Sequence, residues 1–168
     1  MKRGKLISII ITTKNEQLVI ARLIESIKEQ TYPYKEIILV DNSSTDKTLD
    51  IAQKMGVKTY NFGPERSAQR NFGAKKAKGK YFLFLDADMQ LSPDVVEECV
   101  KICLNDKQVG AVVIPEQSIA SNFWEKVKAF ERSFYNEEGN EITDAARFFV
   151  KEAFKVNGGY DENITGPE

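Results

Sequence analysis

Tyr81-Phe82-Leu83-Phe84-Leu85-Asp86-Ala87-Asp88 is the stretch that decides the fold. Its first five residues are apolar without interruption, which suits a strand covered on both faces, and such strands belong to parallel sheets packed between helices. The run then passes straight into two carboxylates. In extended backbone, residues two apart point the same way, so Asp86 and Asp88 are expected to converge while Ala87 faces away. Like charges held together need a shared proton or a cation between them. A divalent ion on oxygen ligands meets that need, above all one that also grips substrate phosphates.

Upstream, residues 6–13 are apolar and β-branched on both faces and read as a central strand. Asn15 is expected to cap a helix whose apolar face carries Val19, Ile20, Leu23, Ile24 and Ile27, ended at Thr31-Tyr32-Pro33. Residues 37–40 read as a second strand delivering Asp41 to a polar turn, Asp41-Asn42-Ser43-Ser44-Thr45-Asp46. A helix with Leu49, Ala52 and Met55 inward comes next, then a weaker strand over 57–62 and a helix over 67–76. Downstream, Ser92-Pro93 is expected to open a helix whose apolar stripe holds Val95, Val96, Cys99, Val100, Cys103 and Leu104. A strand over 109–114 follows. Ile119, Phe123, Trp124, Val127, Phe130 and Phe134 then mark an amphipathic helix whose aromatic face suits core packing. A short strand over 144–150, a brief helix and the turn Asn157-Gly158-Gly159 complete the pattern. Apolar runs alternating with helical segments predict an α/β fold: a Rossmann-like single domain with a central, mainly parallel sheet flanked by helices.

Composition limits the chemistry. The 168 residues suffice for one domain with one sizeable core. Lys and Arg number 24 and Asp and Glu 25, so no overall field recruits nucleic acid or an anionic membrane. Lys75, Lys76, Lys78 and Lys80 form a basic cluster that reads as a solvated helix end. There is no histidine, which removes Ser-His, Cys-His and His-ligated metal chemistry. A general base must be a carboxylate, Lys, Tyr or Cys, and a metal on oxygen ligands points to magnesium or manganese. The two cysteines, one helical turn apart, read as small core hydrophobes suited to a reducing, cytoplasmic compartment. The basic start, Met1-Lys2-Arg3-Gly4-Lys5, leads into an apolar run over 6–11 that is too short to cross a membrane or to form a signal-peptide core, so no transmembrane segment is expected.

Polar clusters follow the apolar strands: Thr13-Lys14-Asn15-Glu16, Asp41-Asn42-Ser43 and Asp86-Ala87-Asp88. Ligands of open α/β sheets bind outside the carboxyl ends of the strands, so these clusters are expected to share one crevice. Each cluster also suits helix caps and turns. Arg66 and Arg70 lie one helical turn apart. They read either as a solvated face or as an anion site for a diphosphate.

Apolar strand then Thr-x-Asn-Glu, apolar strand then Asp-Asn-Ser-Ser-Thr-Asp, Arg-Asn-x-Gly, then Tyr-Phe-Leu-Phe-Leu-Asp-Ala-Asp: this ordered set resembles the family 2 glycosyltransferases of the GT-A fold. The resemblance extends to Phe154-Lys155-Val156-Asn157-Gly158-Gly159-Tyr160-Asp161-Glu162, similar to the family's segment before its catalytic base. It implies an inverting, metal-assisted transfer from a nucleoside diphosphate sugar, uridine rather than guanosine, to an acceptor hydroxyl. By this resemblance Thr13 and Glu16 line the nucleotide pocket and Asp41 accepts a hydrogen bond from the base. Arg70, with Arg66 the weaker candidate, lies near the diphosphate. Asp86 meets the ribose or a metal-bound water, and Asp88 ligates manganese or magnesium. The acceptor is not legible: a saccharide, a lipid-linked group or a protein would each serve. A lipid-linked acceptor would put the chain at the cytoplasmic face of a membrane.

One departure stands out. The family often places its base in a Glu-Asp pair, and the sequence reads Thr165-Gly166-Pro167-Glu168 with the aspartate absent. Glu168 is the candidate catalytic base, and the catalytic domain over 1–168 is expected to be shortened at its C-terminus relative to the family. The rival readings are a domain that binds a nucleotide sugar without turning it over and a phosphohydrolase of the haloacid dehalogenase type. The second also ends an apolar strand in Asp-x-Asp, but usually wants Thr or Val where Gln90 stands.

Overall fold

Ile7–Thr13 (β1) is buried along its whole length, as an apolar strand with neighbours on every side must be. The computed structural model describes residues 4–115 and 146–163. Within them β1 is followed by Ile20–Lys28 (α1), Lys35–Asp41 (β2), Thr48–Lys54 (α2), Lys58–Asn61 (β3) and Arg66–Lys76 (α3). Then come Tyr81–Asp86 (β4), Val95–Asn105 (α4), Ala111–Val113 (β5), Ala146–Val150 (β6) and Lys151–Val156 (α5). The sheet order is β3-β2-β1-β4-β6-β5. β3, β2, β1 and β4 run parallel, whereas β6 is antiparallel to both β4 and β5. This is the α/β architecture with a mainly parallel sheet that the alternation of apolar runs predicts. The aromatic helix expected around Phe123 to Phe134, and Asp144 at the head of the last expected strand, lie outside the described residues.

Two-residue alternation splits the sheet's side chains between two helical layers. Ile7, Ile9, Ile11, Leu83 and Leu85 pack with Leu23, Ile24 and Ile27 of α1 and with Val96, Cys99, Val100 and Cys103 of α4. On the opposite face Ile10, Val40, Phe82 and Phe84 pack with Phe72 of α3 and Phe154 of α5. Burying a side chain of this size is worth about 1.5–3 kcal/mol, so β1 and β4, covered on both faces, anchor the molecule.

Local signals misplace two helix starts. Asn15 does not cap α1; it takes a left-handed φ of 57° and its Oδ1 accepts from the Thr45 amide at 2.8 Å. The backbone carbonyl of Glu16 instead receives the first amides of the helix, those of Val19 and Ile20. Likewise α4 begins at Val95, with no side-chain cap from Ser92. Buried Gln30 supplies the acceptor instead, its Oε1 receiving the Val96 amide at 3.1 Å. Leu104, expected on the buried stripe of α4, is 59% exposed, because the stripe runs through Val96, Cys99, Val100 and Cys103 and leaves Leu104 beside it.

Candidate functional site

The strand register brings the polar clusters together. Thr13 of β1 sits opposite Asp41 of β2, and Thr12 sits opposite Asp86 of β4, so the carboxyl ends of the parallel strands finish level. β1 has neighbours on both sides, and the chain crosses from one side to the other between β3 and β4, which is where open sheets form a crevice. A cavity of about 650 Å³ opens there, in the range of small-ligand sites. Thr13, Glu16, Arg66, Arg70, Asp86 and Asp88 all line it, together with Lys14, Asn42, Ser67 and Gln69. Asp41 is not on its wall, and Glu168 lies outside the described residues.

Much of the loop chemistry is spent on the loops themselves. Asp41 is fully buried, one residue behind the wall; its Oδ1 accepts from the Thr13 hydroxyl at 2.8 Å, and its Oδ2 accepts from the Ser44 amide at 2.7 Å. The Asn15 amide donates to the Ser44 hydroxyl, the Glu16 amide to Thr48 Oγ1 and the Gln17 amide to Asp46 Oδ2. These contacts lace the loop after β1 to the loop after β2. They leave Glu16 free to project into the cavity.

Asp86 closes β4, and the backbone turns at once, with the Met89 amide donating to the Asp86 carbonyl at 3.2 Å. Asp86 and Asp88 therefore do not follow one another in extended chain, though Ala87 does turn into the core, 3% exposed. Asp86 takes its neutralising cations from the protein. Arg70 Nη2 lies 2.9 Å from its Oδ1, and Arg147 Nη1 lies 3.4 Å from its Oδ2. Thr12 adds a hydroxyl donor at 3.3 Å. Burial pushes the Asp86 carboxyl upward, but the Arg70 and then the Arg147 charge outweigh it and hold the pKa below the usual range.

Asp88 is exposed at the cavity rim and makes no hydrogen bond or ion pair among the described residues. Among the described residues no three acidic or thiol side chains cluster as a closed metal cage. One free carboxylate beside an open cavity fits magnesium or manganese, which keep several positions for water or substrate phosphate. Burial and then the charge of Asp88 raise the pKa of Glu16, against the lowering effect of Arg66.

Other residues of the site have no clear sequence signal. Gln69 is buried on α3, and its amide donates to the carbonyls of Thr13 and Val40, tying the helix to the strand ends. Its only mark was a polar residue between two arginines. Arg147 depends on β6 lying antiparallel beside β4, a pairing that no local pattern announces. Tyr160 supports Arg70, whose guanidinium carbon lies 5.1 Å from the ring centre.

The family model for glycosyl transferase family 2 matches residues 8–158. The beta-monoglucosyldiacylglycerol synthase of Nostoc is 29% identical over 93% of this chain and 38% of its own length. A mannosyltransferase from Pyrobaculum calidifontis, solved with GDP-Man and Mn2+, superposes with a TM-score of 0.73 at 22% identity, covering 97% of this chain and 49% of that one. Residues 1–349 of TarS from S. aureus, solved with UDP-GlcNAc, give 0.64 at 21% identity, covering 92% and 48%. The chain spans only 18–44% of the length of its first curated relatives. No helix among the described residues is long and apolar enough to cross a membrane. A family model that covers almost the entire described chain, joined to a GT-A architecture with its crevice at the strand ends, places this chain in glycosyl transferase family 2.

Proposed function

We propose that the crevice binds a nucleoside diphosphate sugar, uridine in preference to guanosine, and that the protein transfers the sugar to an acceptor hydroxyl with inversion. The observation that carries this is the meeting of Thr13, Glu16, Arg66, Arg70, Asp86 and Asp88, from separate elements, in one cavity of a family 2 chain. Thr13 and Glu16 face the nucleoside. Asp41 orders Thr13 from behind and reads the base if the loop after β2 opens. Arg70 and Arg66 meet the diphosphate, where guanidinium donors offset the charge that grows as the glycosidic bond breaks. Asp88 would hold manganese or magnesium. Bound there, the ion supplies Lewis-acid stabilisation of the departing diphosphate.

In the transfer itself the acceptor oxygen attacks the anomeric carbon from the face opposite the diphosphate. The carbon–diphosphate bond breaks as the new one forms, and the acceptor's proton passes to a carboxylate, assigned to Glu168. The compartment assigned to this work is the cytoplasm, at a membrane's cytoplasmic face where the acceptor is lipid-linked. The competing reading is donor binding without turnover. Release of UDP from UDP-glucose and UDP-N-acetylglucosamine, with and without saccharide and lipid-linked acceptors, separates them. Glu168→Gln is expected to lower release about 10²–10⁴-fold with UDP affinity unchanged. No release from the parent chain, with UDP bound, supports binding alone. Full release by the variant removes Glu168 from the mechanism.

A further inference from the structure

Arg70 is asked to do two things at once. It pairs with Asp86 inside the protein, and in the proposed function it must also meet a diphosphate in the cavity. A partly buried carboxylate deprived of its only cation is costly, so a lone Asp86 would hold Arg70 back. Arg147 changes that balance. Its Nη1 approaches the Asp86 oxygen that Arg70 does not use, 3.4 Å from Oδ2, while Arg70 takes Oδ1 at 2.9 Å. Arg147 does not line the cavity. It comes from β6, fixed by its pairing with β4, where Phe148 faces Leu83 and Phe149 faces Phe82. Arg70, by contrast, is imperfectly satisfied where it lies, for its buried Nε has no acceptor among the described residues. Tyr160 presents a ring face to its guanidinium, and Asn71 fixes that tyrosine by accepting from its amide at 2.9 Å and donating to its carbonyl at 2.8 Å.

We infer that Arg147 is a positioning residue for donor binding: it keeps Asp86 paired, so that Arg70 can exchange the Asp86 carboxylate for the phosphates of a nucleoside diphosphate. The inference rests on the proposed function of the crevice. Arg147 acts through Asp86, and its effect must vanish when Asp86 carries no charge.

Titration calorimetry with UDP and with uridine, in manganese buffer, tests this on the parent, Arg147→Gln, Asp86→Asn and the double variant. Arg147→Lys and the melting temperature serve as controls. Arg147→Gln is expected to weaken UDP about tenfold, the size of a close charge coupling, and to leave uridine unchanged. Arg147→Lys, which keeps the charge, is expected to restore most of the loss. In the Asp86→Asn background the same Arg147 change is expected to alter UDP affinity less than twofold. Unchanged UDP binding by Arg147→Gln overturns the inference. So does an equal loss in both backgrounds, which would mean direct contact with the ligand, and so does an equal loss for UDP and uridine, which would mean a merely structural role. If Arg147→Gln does not fold, Arg147→Lys and Arg147→Met in the Asp86→Asn background decide, since neither leaves a bare carboxylate. Loss of UDP affinity there overturns it. A parent that binds uridine nucleotides nowhere sinks the proposed function itself, a result distinct from any difference between variants.

Discussion

Arg70, Asn71 and Gly73 belong to one Arg-Asn-x-Gly sequence on α3 and do different jobs. Arg70 faces the cavity and pairs with Asp86. Asn71 clamps the loop after α5 by bonding both backbone groups of Tyr160 and the Glu162 carboxylate. Gly73 lets the helix lie on the sheet, since a Cβ there would stand 2.4 Å from Ile10 Cγ2. Gly159 answers Asn71 from the other side. Its φ of 82° and a would-be Cβ 2.6 Å from Asn71 Oδ1 both demand glycine. The motif therefore joins one cavity-facing charge to a structural lock. Cys99 shows the residue scale in another way. Burial pushes its thiol up to about 11 from 9.0, which cuts the thiolate fraction at neutral pH about a hundredfold. Alkylation of Cys99 by iodoacetamide at pH 7.5, followed by mass spectrometry, should be at least that much slower in the native chain than in urea. Equal rates would mean that the thiol is neither buried nor perturbed.

Among the elements, β1, β2 and the turn into β4 are joined by a network at their amino ends. Glu36 Oε1 accepts from the Ser8 hydroxyl and from the Lys78 amide, both at 2.7 Å, while Ser8 accepts from the Gly79 amide. Burial raises the Glu36 pKa, but the Lys78 amide, the Ser8 hydroxyl and Lys58 together bring it below the usual value. A depressed carboxylate adds stability above its unfolded pKa and loses it as the pH falls through the folded one. Glu36→Gln should therefore cost about 1–2 kcal/mol at pH 7 in urea unfolding. The difference from the parent should shrink as the pH drops below 4, and a constant difference across that range would exclude the linkage. These elements were legible in the sequence because short, aromatic or β-branched apolar runs such as 82–85, bounded by turn residues, favour covered strands over helices. Strand order was not, and neither was the antiparallel insertion of β6, because pairing partners distant in sequence leave no periodic trace. The helix starts were misread for a related reason: Asn15 and Ser92 look like caps, yet long-range partners such as Thr45 and Gln30 decided the local geometry.

At the scale of the whole molecule, the sheet is the platform and the crevice lies at the carboxyl ends of its parallel strands. Thr13, Glu16, Arg66, Arg70, Asp86 and Asp88, which line the crevice, were readable because each follows a strand or shares one face of a helix. Their division of labour was not. Asp41 and Asp88 both stand in strand-end clusters in the sequence, yet Asp41 is buried and bonded while Asp88 is open, a contrast created by the lacing of two loops. Asp86 looked like half of a metal pair, yet it is held by two guanidiniums brought from different elements. The acceptor side is written in no strand-end cluster.

The central claim is that the crevice binds a nucleoside diphosphate through a divalent ion held at Asp88. Titration calorimetry of UDP into the parent chain and Asp88→Ala, each in manganese and in EDTA, tests it most directly. Manganese is expected to strengthen UDP binding to the parent at least about tenfold, about 1.4 kcal/mol, and Asp88→Ala is expected to bind equally weakly in both buffers with an unchanged melting temperature. Equal affinity of the parent in manganese and EDTA would contradict it, as would a variant that keeps the full manganese gain.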